Sequence, residues 1–168
     1  MVVVERPGDQ AGAEADAAVT VVPGAALCVT VADCAPVALL GDGVLGVVHA
    51  GWRGLLAGVV DAAVEALAAL GPGPVRAVIG PCIEASCYEF GTHELEALVA
   101  DLGEEVRGCT ADGRPALDLG GGVRAALARA GVDECQRLDV CTACSQEHWS
   151  YRHERAGARQ ALVACLVP

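Results

Sequence analysis

Ala32-Asp33-Cys34-Ala35-Pro36-Val37-Ala38-Leu39-Leu40-Gly41-Asp42-Gly43-Val44-Leu45-Gly46-Val47-Val48-His49-Ala50-Gly51-Trp52-Arg53-Gly54 consists of two apolar runs around one turn signal. Pro36 to Leu40 and Val44 to Val48 read as short strands, and Gly41-Asp42-Gly43 joins them as a tight hairpin. Folding the hairpin brings Cys34 and His49 within one or two cross-strand positions of each other. Directly opposed Cβ atoms lie roughly 5 Å apart and diagonal ones about 7–8 Å. That spacing suits a thiolate and an imidazole sharing one metal ion or one proton.

Outward from the hairpin, Val2 to Val4, Ala17 to Thr20 and Ala25 to Val31 read as strands, with a polar, Gly-rich and acidic loop from Arg6 to Asp16. Leu55 to Leu70 carries Leu56, Val59, Val60, Ala63 and Leu67 at helical spacing and ends at Gly71-Pro72-Gly73-Pro74. Val75 to Ile79 is a further strand, running into a second corner at Gly80-Pro81-Cys82-Ile83. His93 to Leu102, with Thr92 as N-cap, and Val123 to Ala130 read as helices. Leu138-Asp139-Val140 reads as a short strand, Cys141 to Gly157 as irregular, and Ala161 to Val167 as a closing strand. Strands that follow one another directly, among interspersed helices, predict an α/β fold with mixed β-sheets layered between helices, as a single domain over residues 1–168.

The 168 residues are 54% hydrophobic, mostly Ala, Val and Leu, and carry a formal net charge of −11. No apolar stretch reaches the ~18 residues of a membrane span, and the start has no signal-peptide pattern, so the reading is a cytoplasmic protein with no membrane partner. The acidic balance argues against nucleic acid, whose affinity for proteins comes from cations on phosphates. Nine cysteines are an odd number, and several, such as Cys28 and Cys165, sit in apolar runs, which predicts buried free thiols rather than a disulfide framework. All eleven basic residues are arginines. Most read as a solvated face, and one or two as a local anion site, since Arg suits phosphate.

Cys34 and His49 permit two chemistries, a nucleophile with its base or part of a metal site. Asp33 reads as a group that orients His49 or acts as a base. Gly51 and Gly54 around Trp52 and Arg53 allow positive φ or close backbone approach. The N-terminus of the following helix, together with Arg53, makes a phosphate cradle, with Trp52 as a lid over the core or a stacking surface. Cys82 and Cys87 stand in the second corner and read as buried thiols or as groups approaching the first. Cys141, Cys144, His148 and His153 spell C-x2-C-x3-H-x4-H, but the cysteine-to-histidine gap is shorter than in finger-type sites, so the motif is not taken as a metal site.

Ala32-Asp33-Cys34-Ala35-Pro36-Val37, His49-Ala50-Gly51-Trp52-Arg53-Gly54, Ile79-Gly80-Pro81-Cys82-Ile83, Cys87-Tyr88-Glu89 and Ser150-Tyr151-Arg152 with Gly157 to Gln160 resemble the laccase-domain family. This family is also called polyphenol oxidase or YfiH-like, and it includes the peptidoglycan editing factor and purine nucleoside phosphorylases. The resemblance covers nearly the whole chain and implies an α/β fold with zinc, or alternatively copper, held by His, Cys and His. Cys34 matches the cysteine ligand and His49 the second histidine. The first histidine belongs to a Gln-Val-His-Gly motif just before a strand like Val2 to Val4, so the resemblance implies an N-terminally shortened chain.

The activity implied is zinc-dependent phosphorolysis of purine nucleosides such as adenosine, inosine and guanosine, with adenosine deamination as a side activity. Cys34, His49 and Asp33 would be catalytic, and Arg53, Trp52 and Arg152 (with Arg159 in reserve) would bind nucleoside and phosphate. The rivals are a Cys–His amide hydrolase linked to peptidoglycan editing, a copper phenol oxidase, and an inactive remnant. Missing leading strands would leave an unpaired sheet edge, which predicts self-association.

Overall fold

A computed structural model describes residues 1–73, 76–155 and 157–167. Pro74 and Val75, at the expected turn and strand, and Ala156, in the expected irregular segment, lie outside the described residues. The elements in order are β1 (Val2–Val4), β2 (Ala17–Thr20), β3 (Ala26–Val31), β4 (Ala35–Gly41), β5 (Val44–Ala50), α1 (Trp52–Leu56), α2 (Val59–Leu70) and β6 (Arg76–Ile79). They continue as α3 (Thr92–Leu102), β7 (Arg107–Cys109), β8 (Pro115–Leu117), α4 (Leu119–Arg129), β9 (Glu134–Arg137), α5 (Tyr151–Glu154) and β10 (Gln160–Cys165). The hairpin forms as read. Asp42-Gly43 is its two-residue loop, with Gly43 at φ +69°, where only glycine sits without strain.

Six strands make one mixed sheet in the order β1-β2-β5-β4-β6-β9. β1 pairs parallel with β2 and β6 parallel with β9, and the other pairs are antiparallel. The pleat sends alternate residues to opposite faces. Val37, Leu39, Val44, Val48 and Ala50 join a core with Val60 and Leu67 of α2, Leu98 of α3 and Leu127 of α4. Leu45 and Val47 turn the other way, onto Leu27 and Val29 of β3 and Leu162 of β10. The fold is mixed α/β, with helices on one face of the large sheet and the two-stranded β3–β10 sheet on the other.

The structure departs from the sequence reading where local signals were weak. Leu55 to Leu70 is two helices, because Ala57-Gly58 breaks the ladder with Gly58 at φ +72°. The buried stripe of α2 is therefore Val60, Ala63, Val64 and Leu67, and Leu56, on the far side of the break, is exposed. Thr92 is the first residue of α3 rather than its cap. Helix α4 starts ahead of Val123 because Asp118 caps it, accepting the Gly121 N–H at 2.8 Å. The strand expected at Leu138-Asp139-Val140 lies earlier, at Glu134–Arg137, where parallel pairing sets Arg76 opposite Glu134 and Ile79 opposite Arg137. Cys28 and Cys165 are exposed, one position out of phase with the buried Leu27 and Val29, while Cys82 is buried as expected.

Leu67 ties α2 to the middle of the large sheet and is fully buried. Leu67→Ala is expected to lower stability by about 2–5 kcal/mol through lost burial and the cavity left behind, read as a fall in the urea midpoint at unchanged m-value.

Candidate active site

The β4–β5 register opposes Ala35 to Ala50 and Pro36 to His49. Extended by one residue, it sets Cys34 opposite Gly51, with His49 on the diagonal and the same face. A Cβ at Gly51 would stand 2.9 Å from Cys34 Sγ and 4.0 Å from His49 Nε2. The absent side chain leaves one small space bordered by both donor atoms. Gly51 is required for this room and not for its backbone angle, since its φ is −93°.

β2 pairs with β5 so that Ala17 opposes Val48, which brings Asp16 beside His49. The His49 N–H donates to the Asp16 carbonyl at 2.7 Å, and His49 Nδ1 lies 3.3 Å from Asp16 Oδ1. A carboxylate at Nδ1 fixes the ring and leaves Nε2 free to bind an electrophile, as in carboxylate–histidine–metal arrangements. The carboxylate beside His49 is thus Asp16. Asp33, expected to orient His49 or act as a base, is buried and committed elsewhere. Its Oδ1 accepts Thr142 Oγ1–H at 2.7 Å and its Oδ2 accepts the Arg152 N–H at 2.6 Å. Asp33 holds φ +84°, an unfavourable angle for a side-chain-bearing residue, and these bonds keep it there.

These residues open onto a cavity of about 530 Å³, with Trp52, Tyr88 and Tyr151 as aromatic walls and Arg53, Arg152 and Arg155 as cations. That size suits a small molecule. Arg53 lies over the Trp52 ring at 4.3 Å and Arg152 over the Tyr88 ring at 4.8 Å. Phe90 braces both rings edge-on, at 5.6 Å from Trp52 and 5.3 Å from Tyr88. Among the described residues, no carboxylate lies within ion-pair distance of Arg53 or Arg152. Arg159 sits against Tyr151, 5.8 Å from the ring centre. The expected helix N-terminus is the single short turn of α1, which begins at Trp52 itself, so the positive charge of this corner is carried by the Arg53 side chain.

Burial, and then the charges of Asp33 and Asp16, push the Cys34 thiol up from 9.0 to about 11. A nucleophilic cysteine needs the opposite shift. A buried thiol beside an oriented imidazole instead suits a cation that offsets the cost of ionising it, and sulfur with nitrogen is a donor set that zinc and copper accept. Cys34 and His49 fit such a metal, with the Gly51 gap as its cradle. Among the described residues, no third His, Cys or carboxylate completes a metal-sized group with them.

Sequence reading named Asp33, Cys34, His49, Trp52, Arg53 and Arg152, and all six line one cavity. It missed Asp16, Tyr88, Tyr151 and Arg155 as lining residues. Asp16 was within reach, because it directly precedes the strand that pairs with β5. Among the described residues, neither His148 nor His153 joins Cys141 and Cys144 in a metal-sized group, so the C-x2-C motif is no finger. Its two cysteines nevertheless gather with Cys87, which corrects the reading that set them aside, whereas Cys82 stays out of that group.

In the metal-free protein, alkylation of Cys34 is expected to be slow at pH 8 and to rise with a midpoint near 11, because a raised pKa keeps the thiol neutral until base removes its proton. Asp33→Asn should move that midpoint down. Peptide-resolved rates with iodoacetamide measure both, and a midpoint at or below 8 would contradict the geometry.

A family model described as multi-copper polyphenol oxidoreductase laccase matches residues 1–166. A Streptomyces coelicolor protein named purine nucleoside phosphorylase is 46% identical over 165 residues, which are 95% of this chain and 67% of that protein. A Deinococcus radiodurans protein of the same name is 41% identical over 160 residues, 92% of this chain and 61% of that protein. The crystal structure of YlmD from Geobacillus stearothermophilus superposes with a TM-score of 0.87 at 26% identity, over 99% of this chain and 69% of that one. A Neisseria meningitidis protein gives 0.86 at 30% identity, over 100% of this chain and 71% of that one. The chain spans between 61% and 67% of the length of these two curated relatives. With nearly every residue matched, the chain belongs to the multi-copper polyphenol oxidoreductase laccase family.

Proposed function

We propose that the protein is a purine nucleoside phosphorylase, the name several of its relatives carry, with zinc as its metal and adenosine deamination as a side activity. The observation that carries the reading is the pairing of guanidinium and ring, Arg53 on Trp52 and Arg152 on Tyr88, around the cavity that holds Cys34 and His49. Phosphorolysis needs an anion site beside a flat apolar slot, and this wall supplies both.

Arg53 and Arg152 would hold inorganic phosphate by charge-assisted hydrogen bonds, while the aromatic rings hold the base. A phosphate oxygen bonds to C1′ of the ribose as the C1′–N bond breaks. The bonding pair leaves with the base, and the proton carried by phosphate ends on the base nitrogen. Cys34 and His49 would hold the zinc, which when bound supplies a Lewis acid for an oxygen in the cavity. Asp16 keeps the His49 ring in place, and Asp33 fixes the Arg152 backbone, so neither needs to change protonation during the reaction.

The amide-hydrolase reading fares worse, because the Cys34 thiol is pushed up and not down. Phenol oxidation, which the family description names, remains the rival to be assayed.

Purified protein supplied with zinc should release free base and ribose 1-phosphate from inosine or adenosine only when phosphate is present. His49→Ala should abolish the release. Arg53→Gln should raise the KM for phosphate by about tenfold or more, the scale of one charged hydrogen bond. Base release that ignores phosphate, or that survives His49→Ala unchanged, would refute the assignment. Oxygen uptake with a phenol and copper, without phosphorolysis, would favour the rival.

A further inference from the structure

Cys87, Cys141 and Cys144 form a second cluster of donor atoms outside the Cys34–His49 cradle. Their three sulfurs all lie within 4.8 Å of one another, and Cys87 Sγ is 3.3 Å from Cys144 Sγ. Cys87 ends the 3-10 turn Ala85–Cys87 in the second corner, whereas Cys141 and Cys144 begin and end a tight turn in which the Cys144 N–H donates to the Cys141 carbonyl at 3.2 Å. The Glu84 N–H donates to Cys141 Sγ at 3.4 Å. A sulfur that accepts a backbone N–H is one prepared to carry negative charge. The corner and the turn are already joined by backbone bonds, Cys82 N–H to the Val140 carbonyl at 3.3 Å and Thr142 N–H to the Cys82 carbonyl at 3.1 Å, so the third sulfur meets the other two on a fixed scaffold.

We propose that Cys87, Cys141 and Cys144 bind a single thiophilic divalent ion, of which zinc is the physiological representative, with water in the fourth position on the exposed side of Cys144. A tetrahedral ion with metal–sulfur bonds of about 2.3 Å spaces its sulfurs about 3.8 Å apart, and the cluster needs only sub-ångström shifts to reach that spacing. A [4Fe–4S] cluster seats each cysteine sulfur on a different iron and would require them farther apart. Among the described residues, His148 does not join these three sulfurs in a metal-sized group.

The ion would have a task in the cavity. Thr142, inside the Cys141–Cys144 turn, holds the buried Asp33 carboxylate, and Asp33 in turn fixes the backbone of Arg152. Cys87 is followed by Tyr88, whose ring carries the Arg152 guanidinium. One ion would therefore pin both sides of the cavity wall that presents Arg152. It is a positioning site, distinct in residues from the Cys34–His49 cradle and independent of whether the phosphorolysis reading is right.

Cobalt(II) titration of the reduced protein tests this, because thiolate ligation gives an intense near-ultraviolet charge-transfer absorption. The band should appear in wild type, persist in His49→Ala, disappear in the doubly substituted His49→Ala/Cys144→Ser protein, and be displaced by zinc. Should the doubly substituted protein lose its native circular dichroism, wild type still decides the question. Zinc should then protect Cys87, Cys141 and Cys144 together from alkylation, read by peptide mass spectrometry. A band that vanishes in His49→Ala and survives in Cys144→Ser, or three cysteines alkylated at the same rate with and without zinc, would overturn the site. So would a Cys87–Cys144 disulfide in freshly purified protein whose reduction leaves a form that binds no ion.

Discussion

The register of one antiparallel pair governs this protein. With Pro36 opposite His49, the pleat places Cys34, Gly51 and His49 on the same face of the sheet edge. A slip of one residue would turn the imidazole toward the helices and send Val48 out of the core. Two features prevent it: the two-residue Asp42-Gly43 turn, and the burial of Val37, Leu39, Val44 and Val48 against the helical layer. The energy that sets the site geometry is thus ordinary core packing several residues away from the chemistry.

Around that pair, polar groups are fixed in a connected order. Thr142 bonds Asp33, Asp33 bonds the Arg152 backbone, and Arg152 lies on Tyr88. Asp33 is the node, because a buried carboxylate with both oxygens engaged cannot be left half-satisfied without a large cost. The network also explains how an acidic chain keeps cations in its cavity. Asp33 is occupied by its own partners and Asp16 faces His49, while Arg152 Nη1 reaches the Glu89 carbonyl at 3.3 Å, so among the described residues neither Arg53 nor Arg152 is paired with a carboxylate.

The hairpin was legible in the sequence because two apolar runs and a Gly-Asp-Gly turn agree with each other, and the Cys34–His49 proximity followed from spacing alone. The six site side chains named from the sequence all line one cavity. Strand β9 was not legible, since Glu134-Cys135-Gln136-Arg137 is polar and becomes a strand only through pairing with β6 at the sheet edge. Gly58 was hidden by the apolar periodicity on either side of it, which cannot report a left-handed φ. Asp16 lay in a stretch that looked like a loop, and its partner is 33 positions away in β5. The cysteine cluster joins residues 57 positions apart, and no local pattern reports which corner will meet which turn.

Gly51 keeps open the space in which Cys34 and His49 would share a metal. Zinc protection of Cys34 from alkylation, measured by peptide mass spectrometry in wild type and in Gly51→Ala, tests it directly. Zinc is expected to protect Cys34 in wild type and to fail to do so in Gly51→Ala, while the circular dichroism of the variant stays native. Equal protection in the two proteins would contradict it.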